Sequence, residues 1–214
     1  ALPAYDQYLK ALHLSEARTP QTMLQAREYF DRAVALDPQF ALAHAEYGHL
    51  YHQMGVYGVM PPLDAMPLMR RQTNRALELD PTLVWSWERS GWLNAYAGNA
   101  KTAIKHFEQA TRRDARRPNA SRLTGLGCAY FDAGQYEKAA RWKRLALRED
   151  AGTAWINRTL SVSYARLGDR LAALESLEAL RRYSTDISIT RIVSSLPFQR
   201  DFLDRVAEGL DDLG

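Results

Sequence analysis

The sequence predicts an all-α fold: about five antiparallel helix hairpins stacked into a right-handed superhelical solenoid, closed by a C-terminal helical cap. Three observations carry that expectation. A ladder of small residues repeats along the chain. Gly91, Gly98, Ala103, Phe107 and Ala110 are answered 36 residues on by Gly127, Gly134, Ala139, Lys143 and Ala146, and 34 residues later by Ser161, Gly168, Ala173, Leu177 and Leu180. Glycines stand just after apolar-periodic stretches, where a helix C-cap needs a residue at ease in the left-handed region. Prolines then follow the second stretch of a unit, as in Leu36-Asp37-Pro38 and Leu79-Asp80-Pro81, where they end a helix and redirect the chain.

Each element follows from these rules. Ala26, Phe30 and Ala33 repeat the second half of the ladder, and Gly48 with Gly55 repeats the first half, so the pattern extends back to the start. Gly55, Gly98, Gly134 and Gly168 are expected to end the first helix of each pair. Gly48, Gly91, Gly127 and Ser161 let that helix approach its partner, which faces them with Ala103, Ala139 and Ala173. Tyr47, Tyr51, Leu126, Tyr130, Leu160 and Tyr164 fill the gaps between layers. The first unit carries a few extra residues around Arg18 to Gln21. The second carries about nine around Val56 to Asp64, Pro61-Pro62 among them, which implies longer helices or a longer loop. Ala115 and Ala151 stand where two units would have their closing proline. The repeats are assigned to residues 1–186 and the cap to 187–214 of the same domain. In the cap, Ile187, Ile189, Ile192 and Val193 form a short amphipathic stretch, Leu196-Pro197-Phe198 breaks it, and Phe202, Leu203, Val206 and Leu210 mark a last helix. A solenoid needs such an end with a polar outer side.

Composition narrows the function. Of 214 residues, 46% are apolar and 25% charged, with a formal net charge of +3, which suits a globular chain and argues against a nucleic-acid binder built on a concentrated basic face. No window approaches 18 uninterrupted apolar residues, and the start ALPAYDQYLK has neither a basic leader nor an apolar core, so neither a membrane span nor a retained signal peptide is expected. Cys128 is the only cysteine, which precludes an intrachain disulfide and a cysteine zinc cage and favours a reducing, cytoplasmic setting. The chain opens on Ala1 and is expected to be a segment of a longer protein.

Trp87, Leu126, Tyr130, Gly91, Gly127, Ala103, Ala139 and Phe107 together resemble the tetratricopeptide repeat family, whose pattern is Trp-x2-Leu-Gly-x2-Tyr, then Ala-x3-Phe, then Pro, over about 34 residues. The resemblance implies a protein- or peptide-binding scaffold without catalytic residues or cofactors. A narrower likeness lies at the edges. AYDQYLKALHL and SSLPFQRDFLDRVAEGLDDLG resemble the ends of the C-terminal repeat module of large bacterial signalling proteins, where it follows a nucleotide cyclase domain or a winged-helix DNA-binding domain. That likeness implies a regulatory or interaction module. It leaves open the alternatives of a cyclase's regulatory segment, with the enzyme activity in another domain, and of a homodimerisation module.

The candidate site is the concave face of the superhelix. At about 100° per residue, Trp87, Ser90, Gly91 and Asn94 face the packing side, while Trp85, Glu88, Arg89, Trp92 and Tyr96 face the other. Neighbouring units add Glu46, His49, His52 and Gln53, then Ser121, Thr124, Cys128, Phe131 and Asp132, then Trp155, Arg158, Val162 and Arg166. Trp85, Glu88, Arg89, Trp92, Tyr96, Phe131, Trp155 and Arg158 are the expected lining of a peptide groove, aromatic anchors with charges between them. The alternative is that these aromatics pack against adjacent helices or the C-terminal tail. The family's clamp for a C-terminal carboxylate is missing, because His49, Trp92 and Cys128 hold the places of its asparagines. His44, His49 and His52 lack thiolate or carboxylate partners at ligand spacing, so a metal site is disfavoured. The cluster Arg112, Arg113, Arg116, Arg117 and Arg122 has no groove-entering motif beside it. No Gly-x-Ser-x-Gly, His-Glu-x-x-His or Gly-Lys-Ser/Thr motif is present, and no paired carboxylates stand out.

Overall fold

The structure is a computed structural model that describes residues 2–114, 119–183 and 198–214. Every regular element among them is helical. In chain order they are α1 (Leu2–Glu16), α2 (Pro20–Leu36), α3 (Ala41–Val56), α4 (Pro62–Leu79), α5 (Val84–Tyr96), α6 (Ala100–Arg113), α7 (Ala120–Asp132), α8 (Tyr136–Glu149), a 3-10 turn (Ala151–Ile156) leading into α9 (Asn157–Arg166), α10 (Arg170–Tyr183) and α11 (Arg200–Asp211). Within the units, α1/α2, α3/α4, α7/α8 and α9/α10 pack as hairpins. The chain divides into two compact units, Ala1–Leu93 and Asn94–Gly214.

The hairpins form where local rules place them. Pro20 opens α2 at a position where its missing N–H costs nothing, and Thr19 and Thr22 form a reciprocal capping box at 3.2 and 3.3 Å. Pro62 likewise stands at the first position of α4, after Pro61 and without a side-chain cap. Gly98, Gly134 and Gly168 end their helices at φ +72°, +70° and +78°, a region costly for a residue with a Cβ. In the second hairpin the expectation for Gly55 is corrected. Gly55 lies within α3, where an added Cβ would stand 3.3 Å from Cβ of Ala65, and Gly58 takes the left-handed position at φ +70°. The extra residues lengthen the whole hairpin: α3 and α4 have 16 and 18 residues against 13 and 14 in α5 and α6.

Small residues set the spacing within each pair. A Cβ on Gly48 would meet Thr73 Oγ1 at 2.9 Å, and one on Gly127 would meet Cγ of Lys143 at 2.6 Å. Alanines of the second helices, Ala26, Ala33, Ala76, Ala103, Ala110, Ala139, Ala146 and Ala173, are all buried, as are Phe30, Tyr47 and Phe107. Where Ala151 replaces the closing proline, the chain enters α9 through the 3-10 turn. The first amphipathic stretch expected in the cap, Ile187 to Val193, lies outside the described residues, as do Ala115, Arg116 and Arg117. The last helix is present as α11, with Phe202, Leu203, Val206 and Leu210 buried.

Candidate functional site

In unit Ala1–Leu93, α3 and the first turns of α5 bring polar groups together. His52 and Trp92 stack loosely, with ring centroids 5.5 Å apart, and His49 lies 6.2 Å from His52. Arg89 and Glu88 are buried and form an ion pair at 3.4 Å. His49 Nδ1, Gln53 Oε1 and Arg89 Nε are buried without a hydrogen-bond partner. Burial, reinforced by the Arg89 charge, holds His49 well below its ordinary range and lowers His52 to about 3, so both imidazoles are neutral near pH 7. Burial also raises the Glu46 carboxyl, with Arg89 opposing the shift and Glu88 adding to it. Trp85 stands apart at 40% exposure. His44 belongs to the packing, its ring nitrogens 2.6 Å from Gln72 Oε1 and 3.2 Å from the Pro38 carbonyl. Among the described residues, no group of three His, Cys, Asp or Glu side chains could hold a metal.

Unit Asn94–Gly214 places its predicted site residues differently. Tyr96 and Phe131 are buried beneath the chain's own C-terminal segment. Phe198 meets Tyr96 edge-on at 4.9 Å and stacks on Phe202 at 4.0 Å, and Phe202 meets Phe131 edge-on at 5.1 Å. Tyr96 and Phe131 thus pack against the tail. Trp155 and Arg158 form a separate pair at the start of α9. The guanidinium lies 5.1 Å from the indole centroid, Arg158 Nε donates to the Trp155 carbonyl at 2.9 Å, and Trp155 packs on the cluster of Leu123, Ala146 and Ile156. The predicted site therefore resolves into Glu88, Arg89 and Trp92 with the histidines, Tyr96 and Phe131 under the tail, and Trp155 with Arg158.

Two residues beside the site were missed. Arg205 reaches the end of α7, where its guanidinium donates to the Asp132 carbonyl at 3.0 Å and the Phe131 carbonyl at 3.4 Å and pairs with the Asp132 carboxylate. Only its place on the polar edge of an amphipathic helix could have hinted at this. Lys143 stands where the repeat has an aromatic; it is fully buried, 4.6 Å from the Phe131 ring centroid, and donates to the Thr159 carbonyl at 3.2 Å. Burial lowers its ammonium to about 7. Burial also raises the Cys128 thiol, which opposes a nucleophilic role. Arg122 leaves the basic cluster: it is buried, 3.6 Å from the Asp114 carboxylate.

No family model and no curated protein matches the chain. Solved structures do. PilW, a widely conserved type IV pilus biogenesis factor, superposes with a TM-score of 0.69 at 14% identity over 99% of this chain and 88% of its own. PilF of Pseudomonas aeruginosa gives 0.65 at 13% identity over 98% and 86%. YrrB, described as a TPR protein with an unusual peptide-binding site, gives 0.56 at 16% identity over 86% and 93%. These likenesses show the fold, an all-α tetratricopeptide-type array of helix hairpins. No helix among the described residues is long and apolar enough to cross a membrane.

Proposed function

We propose that this chain is a non-catalytic scaffold that binds a protein or peptide on the face lined by the first helices of its hairpins. In that reading it is the interaction or regulatory module of a larger bacterial signalling protein of the cytoplasm. The observation that carries the binding role is α11: the first-helix face of α7 and α9 already receives an amphipathic helix through aromatic and arginine contacts, so its shape and chemistry suit a peptide. The peptide-binding site ascribed to YrrB supports the same use of the fold. The signalling setting rests on the two edge motifs, and there the output, cyclase or winged helix, belongs to another domain.

The test is co-precipitation of a bacterial lysate with the full chain, followed by titration of the purified partner. Trp85→Ala, at an exposed site, and Arg158→Ala, at a half-buried one, should fold normally and weaken the partner tenfold or more. Unchanged affinity in both variants would sink the groove.

Homodimerisation is the second reading, favoured by apolar side chains left exposed on the terminal hairpins: Leu2 (85%), Tyr5 and Leu9 on α1, and Leu167 and Leu171 (72%) on the last. Light scattering across a concentration series decides it. A dimer abolished by Leu9→Lys or Leu171→Lys supports this reading, and a monomer at every concentration removes it.

A further inference from the structure

The C-terminal segment packs mainly on first helices of the hairpins: Tyr96 at the end of α5, Phe131 and Asp132 at the end of α7, and Val162 on α9, while its last residue, Gly214, accepts from Arg181 on α10 at 2.7 Å. Besides closing the array at its last hairpin, this segment meets three successive first helices, as a bound peptide would.

The fit is specific along the length of the segment. The Gln199 N–H donates to the Tyr96 carbonyl at 3.0 Å, and Gln199 lies over Gly98, which has no Cβ to obstruct it. Phe198 and Phe202, one turn apart, supply the aromatic anchors. Arg205, three residues further, donates to the Phe131 and Asp132 carbonyls at the C-terminus of α7, where the helix dipole favours a cation, and its guanidinium lies 5.7 Å from the Phe131 ring centroid. Four residues on, Gly209 lies so close to Val162 that a Cβ would overlap it. Glycine inside a helix is unfavourable by itself, so its presence here matches the segment to this groove.

We propose that α11 is a tethered ligand, and that its groove is a helix-binding site entered by partners whose amphipathic helix repeats its pattern of aromatic, aromatic, arginine and glycine at spacings of four, three and four. Because α11 belongs to the same chain as its groove, its docking is intramolecular, so a partner must outcompete it. The tether thereby sets a threshold: weak helices are excluded, and a strong one releases the C-terminus. This deepens the scaffold reading and rests on it, yet its test uses only the chain's own segment, so it fails or succeeds apart from any partner captured from a lysate.

The experiment follows fluorescence anisotropy of a labelled peptide of residues 198–214 added to the full chain. Wild type should bind it weakly. The Phe202→Ala/Arg205→Ala double variant, with its own helix loosened, should bind at least tenfold more tightly, and Gly209→Leu in the peptide should remove that gain. A folded double variant with wild-type affinity overturns the proposal. If the double variant loses its cooperative melt, Arg205→Ala alone decides: a severalfold gain in peptide affinity supports the proposal and no gain overturns it. A wild-type dimer broken by Arg205→Glu would assign the groove to a second copy and also overturn it.

Discussion

The first helices of unit Ala1–Leu93 carry a polar, incompletely paired group of side chains, whereas those of unit Asn94–Gly214 are mainly aromatic and filled, with Thr124 Oγ1 a buried polar atom without a hydrogen bond there. In the first, His49, Gln53 and Arg89 each keep a buried polar atom without a hydrogen bond, beside the Glu88–Arg89 pair. In the second, Tyr96, Phe131 and Val162 disappear under α11, and Arg205 caps α7. One hairpin geometry thus carries two chemistries, because small residues facing the partner helix fix the backbone while the opposite face is free to vary. The unpaired groups make the first face costly and poised for polar contacts. The second has its aromatic side chains covered by the C-terminal segment.

The comparison can be broken most forcefully at Phe202. Truncation to alanine removes a fully buried ring between Phe131 and Phe198, an expected loss of about 3–5 kcal/mol in the docking of α11. Hydrogen exchange should show protection lost in α11 and at the end of α7, with α1 to α4 unchanged. Protection lost evenly along the chain would contradict the contrast.

Acid should probe the first face. In the unfolded chain His49 and His52 take up protons below about pH 6.5, whereas in the folded chain His52 resists until about 3 and His49 is also held down. The unfolded state therefore binds more protons in that window, and stability falls as pH drops through it. Glu46 acts in the opposite sense, since its raised folded pKa means that protonation relieves a burial cost. Two histidines against one carboxylate leave a net loss of stability as the pH falls from 7 to 4.5. His52→Gln should flatten that slope in urea titrations at successive pH values.

The second unit answers in a different window. Folded Lys143 loses its proton near pH 7 and unfolded lysine only near 10.4. Between those values the unfolded state again holds more protons, so stability rises with pH from about 7 toward 10. Lys143→Met, which keeps the stem that fits against Gly127, should stabilise the protein by about 1–3 kcal/mol at pH 7 and abolish the rise. A variant less stable than wild type at pH 7 would show that the bonds to Thr159 and Ser163 outweigh desolvation.

The smallest effect tests what the units share. Gly58 and Gly134 have the same φ of +70° and nothing within 4 Å of an added Cβ, so alanine at either should cost about 1 kcal/mol through backbone strain alone. Unequal costs in matched thermal melts would mean that the two turns are not equivalent.

Much of the fold was legible because its signals are local. Left-handed glycines at 98, 134 and 168 and prolines at 38 and 81 punctuate the chain wherever they occur. Gly55 shows the limit: a glycine after an apolar stretch serves equally as a cap or as a close-approach residue, and only the packing of Ala65 against it decides. Lys143 shows another, since a charged side chain at an aromatic position reads as exposed until Gly127, Thr159 and Phe131 enclose it. For the candidate site, helical periodicity grouped Trp85, Glu88, Arg89, Trp92 and Tyr96 on one face, but it could not tell which would be covered.

The sequence by itself determined the class of fold and the places where each hairpin turns, because both depend on residues close together in the chain and on backbone rules that hold in any context. It also marked Phe202, Leu203, Val206 and Leu210 as a stripe that must be buried. Only the tertiary structure decided against what. The aromatic contact of Phe202 with Phe131 and the bonds of Arg205 to Asp132 join residues more than seventy positions apart. An amphipathic helix records the area it must hide and nothing of the surface that hides it.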